Sequence, residues 1–576
     1  TLAIMKSGVN NYGKIEKQGQ DEIKPKRFGR KHCMFLGLLI FFLGVAMVCL
    51  AVGLERVLSK NGGGSSVESG AKMIEKICSN TLYPEKCVHS LSSFPGAMNA
   101  SGLKLVALSI RISMEGINSA MQSVENFIQE KGDHIVSLAL NDCVELLEYS
   151  LDGLDSSLTK LLQSNSDDIS DLQTWVSSSL TYQTTCLDGL GYMEGKSFNY
   201  IMEQGKNVSM VLSNSLALIK TLPMLVGDSE IPSHSRRLLS DVDESSLLPR
   251  WVSDIGKRFL VEEKSLVPDV VVALDGSGNY SRIQDAVDVA PQSNNQSYVI
   301  HIKAGVYEEN VIISKKMTNI VFIGDGANST IISGSKNVQI GMSVYRSATV
   351  AIDGNGFIAR DLTIENTSGP KRMQAVALRV SADQTAFYNC TFKGNQGTLY
   401  SHTFRQFYRE CTIFGTVDFI FGNSAAVFQN CSLVALKPLP GQNNTCTAQA
   451  KSDPNQNTGF SFQKCKVDGT PELLSIRNIS TYLGTPLKQY SCAIFLHCYL
   501  TKVVDPAGWL TPNEELVLDN VLMGEFENKG PGSRASKRVD WATHLSQKQA
   551  RSFNVKDFLS SSKWLPATHI EFDELP

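Results

Sequence analysis

The stretches FYNCTFKG (387–394), YRECTIFG (408–415), FQNCSLVA (428–435) and FQKCKVDG (462–469) share one pattern: an aromatic residue, a cysteine three places later, and Gly or Ala four places after that. Their starts lie 21, 20 and 34 residues apart, so one interval carries an insertion. A period near twenty, built of short β-rich runs with no helical stripe, is the signature of stacked coils in a parallel β-helix. Neighbouring coils then sit about 4.8 Å apart, the spacing of paired strands. Cys390 and Cys411 take equivalent places on adjacent coils, as do Cys431 and Cys465. Each pair is either a disulfide, Cys390–Cys411 and Cys431–Cys465, or a rung of stacked buried thiols. The same stacking gathers Gln374, Gln396 and Asp418, which are 22 and 22 residues apart. Two amides and a carboxylate would share one surface, although spacing alone reads as easily as an ordinary polar ladder.

Outward from this region the pattern changes. Leu103, Ala107, Ile110, Met114, Ile117, Met121, Val124 and Ile128 recur in steps of three and four, as do Leu140, Val144, Leu147, Leu151, Leu154, Leu158 and Leu161. Each series is one apolar stripe on a helix, and with segments at 171–190 and 208–222 they predict a four-helix bundle over 68–225. Residues 226–265 hold no sustained apolar period and read as a linker, carrying Arg236-Arg237-Leu238-Leu239. Upstream, a basic segment (1–32) precedes an uninterrupted apolar run (33–54), long enough to cross a hydrocarbon core of about 30 Å. The basic flank keeps the N-terminus cytosolic and sends the rest into the secretory pathway, and the length favours a signal-anchor over a cleaved peptide. A Gly/Ser-rich linker at 55–67 joins it to the bundle.

At 576 residues the chain exceeds one compact domain. Its net charge of −3 leaves no face obliged to be basic, which argues against a nucleic-acid partner. Of 13 cysteines, two fall in the apolar run, and the odd number left means at least one stays unpaired within the chain. Sequons at Asn99, Asn207, Asn295, Asn328, Asn366 and Asn478 suit a lumenal protein. The helical region has no Cys/His metal spacing and the chain no phosphate loop, so no metal and no cofactor are expected.

Two families are resembled. ICSNTLYPEKC (77–87), LNDCVELLEYSLDGL (140–154) and DLQTWVSSSLTYQTTCLDGL (171–190) resemble the pectin methylesterase inhibitors, which implies disulfides Cys78–Cys87 and Cys143–Cys186. VVALDGSGNY (271–280), KAGVYEE (303–309), QAVALRV (374–380), GTVDFIFGN (415–423), DPNQNTG (453–459) and DPAGWL (505–510) resemble plant pectin methylesterases, in order. The resemblance implies a right-handed parallel β-helix esterase domain over 266–566 that acts on homogalacturonan in the cell wall. It further implies the inhibitor-like pro-region as a partner in cis, removed by a subtilase-type protease at Arg236-Arg237-Leu238-Leu239. Asp418 would be the nucleophile that forms an acyl-enzyme, and Gln374 and Gln396 the uncharged oxyanion donors. Tyr400, Phe421 and Trp509 would contact substrate.

The chain departs from the family pattern at three places. Gly397 stands where the family has the Asp that protonates the departing methoxide, Thr485 where an Arg orients the nucleophile, and Leu487 where a Trp lines the sugar cleft. A pectinesterase weakened at its acid/base step is expected, with a non-catalytic pectin-binding or regulatory relative as the alternative. His402 and His497 read as structural rather than catalytic.

Overall fold

The computed structural model describes residues 64–130, 134–163, 169–191, 193, 195–225, 267–476, 478–512 and 516–574. The expected cytosolic segment, the apolar anchor and the linker with Arg236, Arg237, Leu238 and Leu239 lie outside them. No helix among the described residues is long and apolar enough to cross a membrane.

The apolar stripes become helices: α1 (Gly64–Cys78), α2 (Pro84–Ser92), α3 (Gly102–Glu130), α4 (His134–Gln163), α5 (Ile169–Leu190) and α6 (Lys196–Leu225). Helix α1 starts inside the stretch read as linker. The last four helices form the bundle, with Ile110, Ile117, Leu140, Leu154, Val176 and Leu216 buried between them. Cys78–Cys87 closes the α1–α2 hairpin and Cys143–Cys186 ties α4 to α5, as the resemblance implied.

The second half is a parallel β-helix of three sheets with 11, 7 and 8 strands. The 7-stranded sheet carries the site and consists of β1 (Val311–Ile313), β2 (Val350–Ile352), β3 (Leu378–Val380), β4 (Leu399–Ser401), β5 (Ile420–Gly422), β6 (Asn444–Gln449) and β7 (Thr481–Pro486). Every pairing along it is parallel.

The repeat now has a physical reading. Its aromatic residues stack coil on coil: Phe387 on Tyr408 at 4.9 Å, Tyr408 on Phe428 at 4.5 Å, Phe428 on Phe462 at 4.5 Å and Phe462 on Phe495 at 4.6 Å. Immediately before each repeat cysteine sits a left-handed residue, Asn389 (φ 49°), Glu410 (φ 55°), Asn430 (φ 51°) or Lys464 (φ 53°), and His497 (φ 54°) continues the series before Cys498. That conformation is costly for residues with a side chain, so packing of the coil on either side must hold the corner.

The cysteines correct one expectation. Cys390, Cys411, Cys431 and Cys465 are free and buried, so neither Cys390–Cys411 nor Cys431–Cys465 forms, and Cys498 adds a fifth rung. Parallel stacking points successive Cβ atoms the same way, whereas a disulfide needs them turned towards each other. Each thiol instead donates to backbone carbonyls, Cys411 to those of Phe387 and Arg409 and Cys465 to those of Phe428 and Gln463. The domain also runs past residue 566. Ile570 is buried on the 11-stranded sheet, and Asp573 accepts from Lys464 and pairs with Arg409.

Candidate active site

Gln374, Gln396 and Asp418 each lie just ahead of a strand of the site sheet, before β3, β4 and β5. Gln374 pairs with Gln396 across adjacent coils. The next contact continues the stack, since the Gly397 N–H donates to the carbonyl of Val417 at 3.1 Å. All three side chains are buried, at 6%, 4% and 6% exposure. Gln396 Nε2 and Gln374 Oε1 are buried without a protein partner. Buried polar atoms of this kind are uncommon in native folds, and water or a ligand can complete their bonding.

Asp418 holds a left-handed backbone at φ 51°. Its N–H donates to Thr445 Oγ1 at 2.7 Å, and that hydroxyl donates to Asp418 Oδ1 at 2.6 Å. One hydroxyl from β6 thus fixes both backbone and carboxylate. Sequence reasoning missed Thr445, because a threonine in a strand carries no signal of the residue it faces.

Gly397 also has a positive φ, 72°, and a Cβ built on it would meet Phe421 Cε1 at 3.3 Å and Gln374 Cβ at 3.9 Å. A side chain there would enter the site between the Gln374 side chain and the Phe421 ring. Tyr400 and Phe421 stack on the same face at 4.2 Å and 13°. Thr485 stands in the register row Tyr400, Phe421, Ala448, Thr485, two strands from Phe421 or roughly 10 Å by strand spacing. A threonine side chain at that place reaches much less far than an arginine's. Leu487 follows the end of β7, half-buried, its N–H on the carbonyl of Gln449. Trp509 is a correction: it is 1% exposed, inside the β-helix core, with its ring against Phe495 at 5.8 Å. It cannot meet substrate, because its coil turns the indole inward.

The groove is covered by the bundle. Helix α5 lies along it and makes contacts at successive turns. Asp171 accepts from Arg405 at 2.7 Å, and Trp175 Nε1 donates to Asp383 at 3.3 Å. Further along, Thr181 Oγ1 accepts from Asn423 at 2.9 Å, and the Tyr182 hydroxyl donates to the carbonyl of Ser381 at 2.9 Å. Arg405 is fully buried between Asp171 of the bundle and Asp383 of the β-helix. Tyr345, Val376, Tyr400 and Phe404 of the groove belong to one apolar cluster with the bundle core.

His402 lies in this interface, 1% exposed, Nδ1 at 2.9 Å from Ser381 Oγ and Nε2 at 2.9 Å from Thr185 Oγ1. Burial first and the Arg379 guanidinium second push its pKa well below 6.5, so it is a neutral structural hydrogen-bonder. Arg379 forms a buried two-pronged pair with Asp353 at 2.6 and 3.1 Å.

Comparison with known proteins agrees with this geometry. Residues 269–562 match the family model described as Pectinesterase, and residues 72–218 match Plant invertase/pectin methylesterase inhibitor. The chain is 39% identical over 568 residues to Pectinesterase/pectinesterase inhibitor U1 of Solanum lycopersicum, covering 94% of this chain and 97% of that one. It is 39% identical over 531 residues to Pectinesterase 3 of Citrus sinensis, covering 89% and 90%. The solved pectin methylesterase from carrot is 46% identical with a TM-score of 0.54, covering 55% of this chain and all of its own. Carrying both matched regions, one behind the other, the chain belongs to the pectinesterase family, with an inhibitor domain ahead of the esterase domain.

Proposed function

We propose that the β-helix hydrolyses the methyl esters of homogalacturonan, slowly, using Asp418 as nucleophile. The observation that carries this is the stacking of Gln374 and Gln396 beside a carboxylate fixed by Thr445. Asp418 attacks the ester carbonyl, and the oxygen that becomes negative takes hydrogen bonds from the amides of Gln374 and Gln396. The C–O bond to methoxide then breaks, leaving an acyl-enzyme on Asp418, and water hydrolyses it to free carboxylate.

Methoxide needs a proton to leave. Gly397 has no side chain to give one, and a positioned acid is typically worth about 10²–10⁴ in rate. Solvent must supply that proton, which is why slow turnover is the expected behaviour. Thr485 supplies no guanidinium at its position, and Leu487 offers no flat indole face to a sugar ring.

The docked bundle acts as an inhibitor in cis, because substrate and α5 need the same groove. Cutting at Arg236-Arg237-Leu238-Leu239 by a subtilase-type protease would release it. The precursor enters the secretory pathway through the apolar segment, as a membrane-anchored form, and the processed esterase works in the cell wall. Methanol release from esterified pectin by the processed protein tests the chemistry. Slow release that disappears in Asp418→Ala is the expected result. No release from either, with pectin binding retained, would make the protein a non-catalytic relative.

A further inference from the structure

The bundle holds the groove through ion pairs near both of its ends. Lys315 follows β1 and Arg346 precedes β2, and Lys488 follows β7 at the far edge, six strand spacings or about 29 Å away. Lys315 Nζ meets Asp152 at 2.7 Å, Arg346 meets Asp142 at 2.7 Å and also Glu145, and Lys488 Nζ meets Asp188 at 2.7 Å. Among the described residues, all three cations make their ion pairs to bundle carboxylates, and all three side chains stay partly exposed while paired. Lys371 and Arg372, exposed just ahead of Gln374 in the chain, add further positive charge.

Between these ends the bundle offers hydroxyls. Thr174 accepts from Asn457, Thr181 from Asn423, and Thr185 meets His402. The surface laid along the groove therefore carries carboxylates near its ends and hydroxyls between them. A neutral, fully esterified polymer carries the hydroxyls alone, whereas a run of ionised uronates carries both.

We propose that Lys315, Arg346 and Lys488 form a binding site for ionised uronates of a de-esterified polymer run, and that such a run competes with the bundle for the groove. The inference rests on the pectin reading of the same groove. It gives the cations a ligand once the bundle leaves, since three unpaired charges flanking a groove attract a polyanion. It also makes release of the bundle sensitive to the state of the polymer.

The test uses the full chain with a specific protease site placed within 226–266, cut after purification. The two halves are followed by size-exclusion chromatography with polygalacturonate, fully methyl-esterified pectin or dextran sulfate at matched concentration. Polygalacturonate should separate the halves and bind with an affinity that falls as salt rises. In Lys315→Gln with Arg346→Gln its affinity should drop about tenfold, two partly exposed charges being lost, while binding of esterified pectin stays unchanged and so reports a folded groove. Binding of esterified pectin but not polygalacturonate, or an unchanged affinity in the double variant, overturns the inference and leaves the pectin reading standing. Equal binding of dextran sulfate overturns it as mere polyanion attraction. Binding of neither pectin form overturns both readings.

Discussion

Replacing Gly397 by Asp sets a catalytic gain against a structural cost, and both follow from the local geometry. The backbone at 397 has φ 72°, where a residue with a side chain is strained by roughly 1–2 kcal/mol, with Asp among the more tolerant residues. Asp418 already holds φ 51° in the same groove. The new Cβ would lie 3.3 Å from Phe421 Cε1, a contact the half-buried ring can relieve by shifting a few tenths of an ångström. The net cost is therefore about 1 kcal/mol, or a melting shift of about 2–4 °C at most for a domain this large. Against it stands a positioned acid worth about 10²–10⁴ in rate, or about 2.7–5.4 kcal/mol of barrier. Methanol release from esterified pectin, measured on the processed protein beside its thermal melt, should rise at least tenfold while melting falls by a few degrees. Adding Thr485→Arg and Leu487→Trp should raise the rate again, without simple additivity, because all three positions serve one site. A folded Gly397→Asp protein whose rate stays within threefold of the parent, alone and in the triple variant, would falsify the view that the missing acid limits turnover.

Other outcomes follow from the same structure. Asp171→Asn weakens one side of the buried Arg405 bridge at a cost of about 1–3 kcal/mol, so the uncut chain should lose bundle protection, seen as faster hydrogen exchange along α5. His402 stays neutral in the docked state, so its contribution is complete above pH 6.5 and is lost as the pH falls below that value. Asp453, raised mainly by burial against the bundle, acts with the opposite sign, its penalty easing as the pH falls. Melting of Asp453→Asn against pH should then show the losses of His402 and of His569, whose pKa burial also lowers, and adding His402→Gln should shrink that loss. Glycan mapping should find sugar among the exposed Asn99, Asn295, Asn328 and Asn478 but never on Asn366, whose Nδ2 donates to the carbonyls of Lys336, Ser347 and Val376. Thiol titration of the β-helix portion should count seven free groups after denaturation and almost none before.

The coil period, the aromatic rungs and the alignment of Gln374, Gln396 and Asp418 were legible, because a solenoid converts sequence spacing directly into stacking. The bundle was legible because each helix has one apolar stripe. What could not be read has local causes. Glu410, Lys464 and His497 are poor advertisements for a left-handed corner, which the stacked coils impose on them. Whether the cysteine rungs were disulfides or stacked thiols stayed open, because register gives proximity but not the direction of Cβ. Trp509 looked like a sugar platform because motif resemblance says nothing of which way a coil turns a ring. Thr445 is invisible because its partner lies 27 residues away on another coil.

Docking of the bundle is the least legible feature, and it separates two properties that the family pattern joins. Its α5 contacts fall on Ser381, Asp383, His402, Arg405, Asn423, Gln456 and Asn457. None of these is Gly397, Thr485 or Leu487. On the proposed mechanism the three departures act on proton delivery, carboxylate aim and sugar stacking, whereas the mask depends on buried charge pairs and hydroxyl contacts further along the strands. Chemistry at the site can therefore weaken with no loosening of the bundle. The converse also holds: removing the bundle uncovers the groove but does nothing to supply a proton to methoxide. On the proposed mechanism full activity requires both the cut and the acid, so measuring each alone apportions the loss between masking and mechanism.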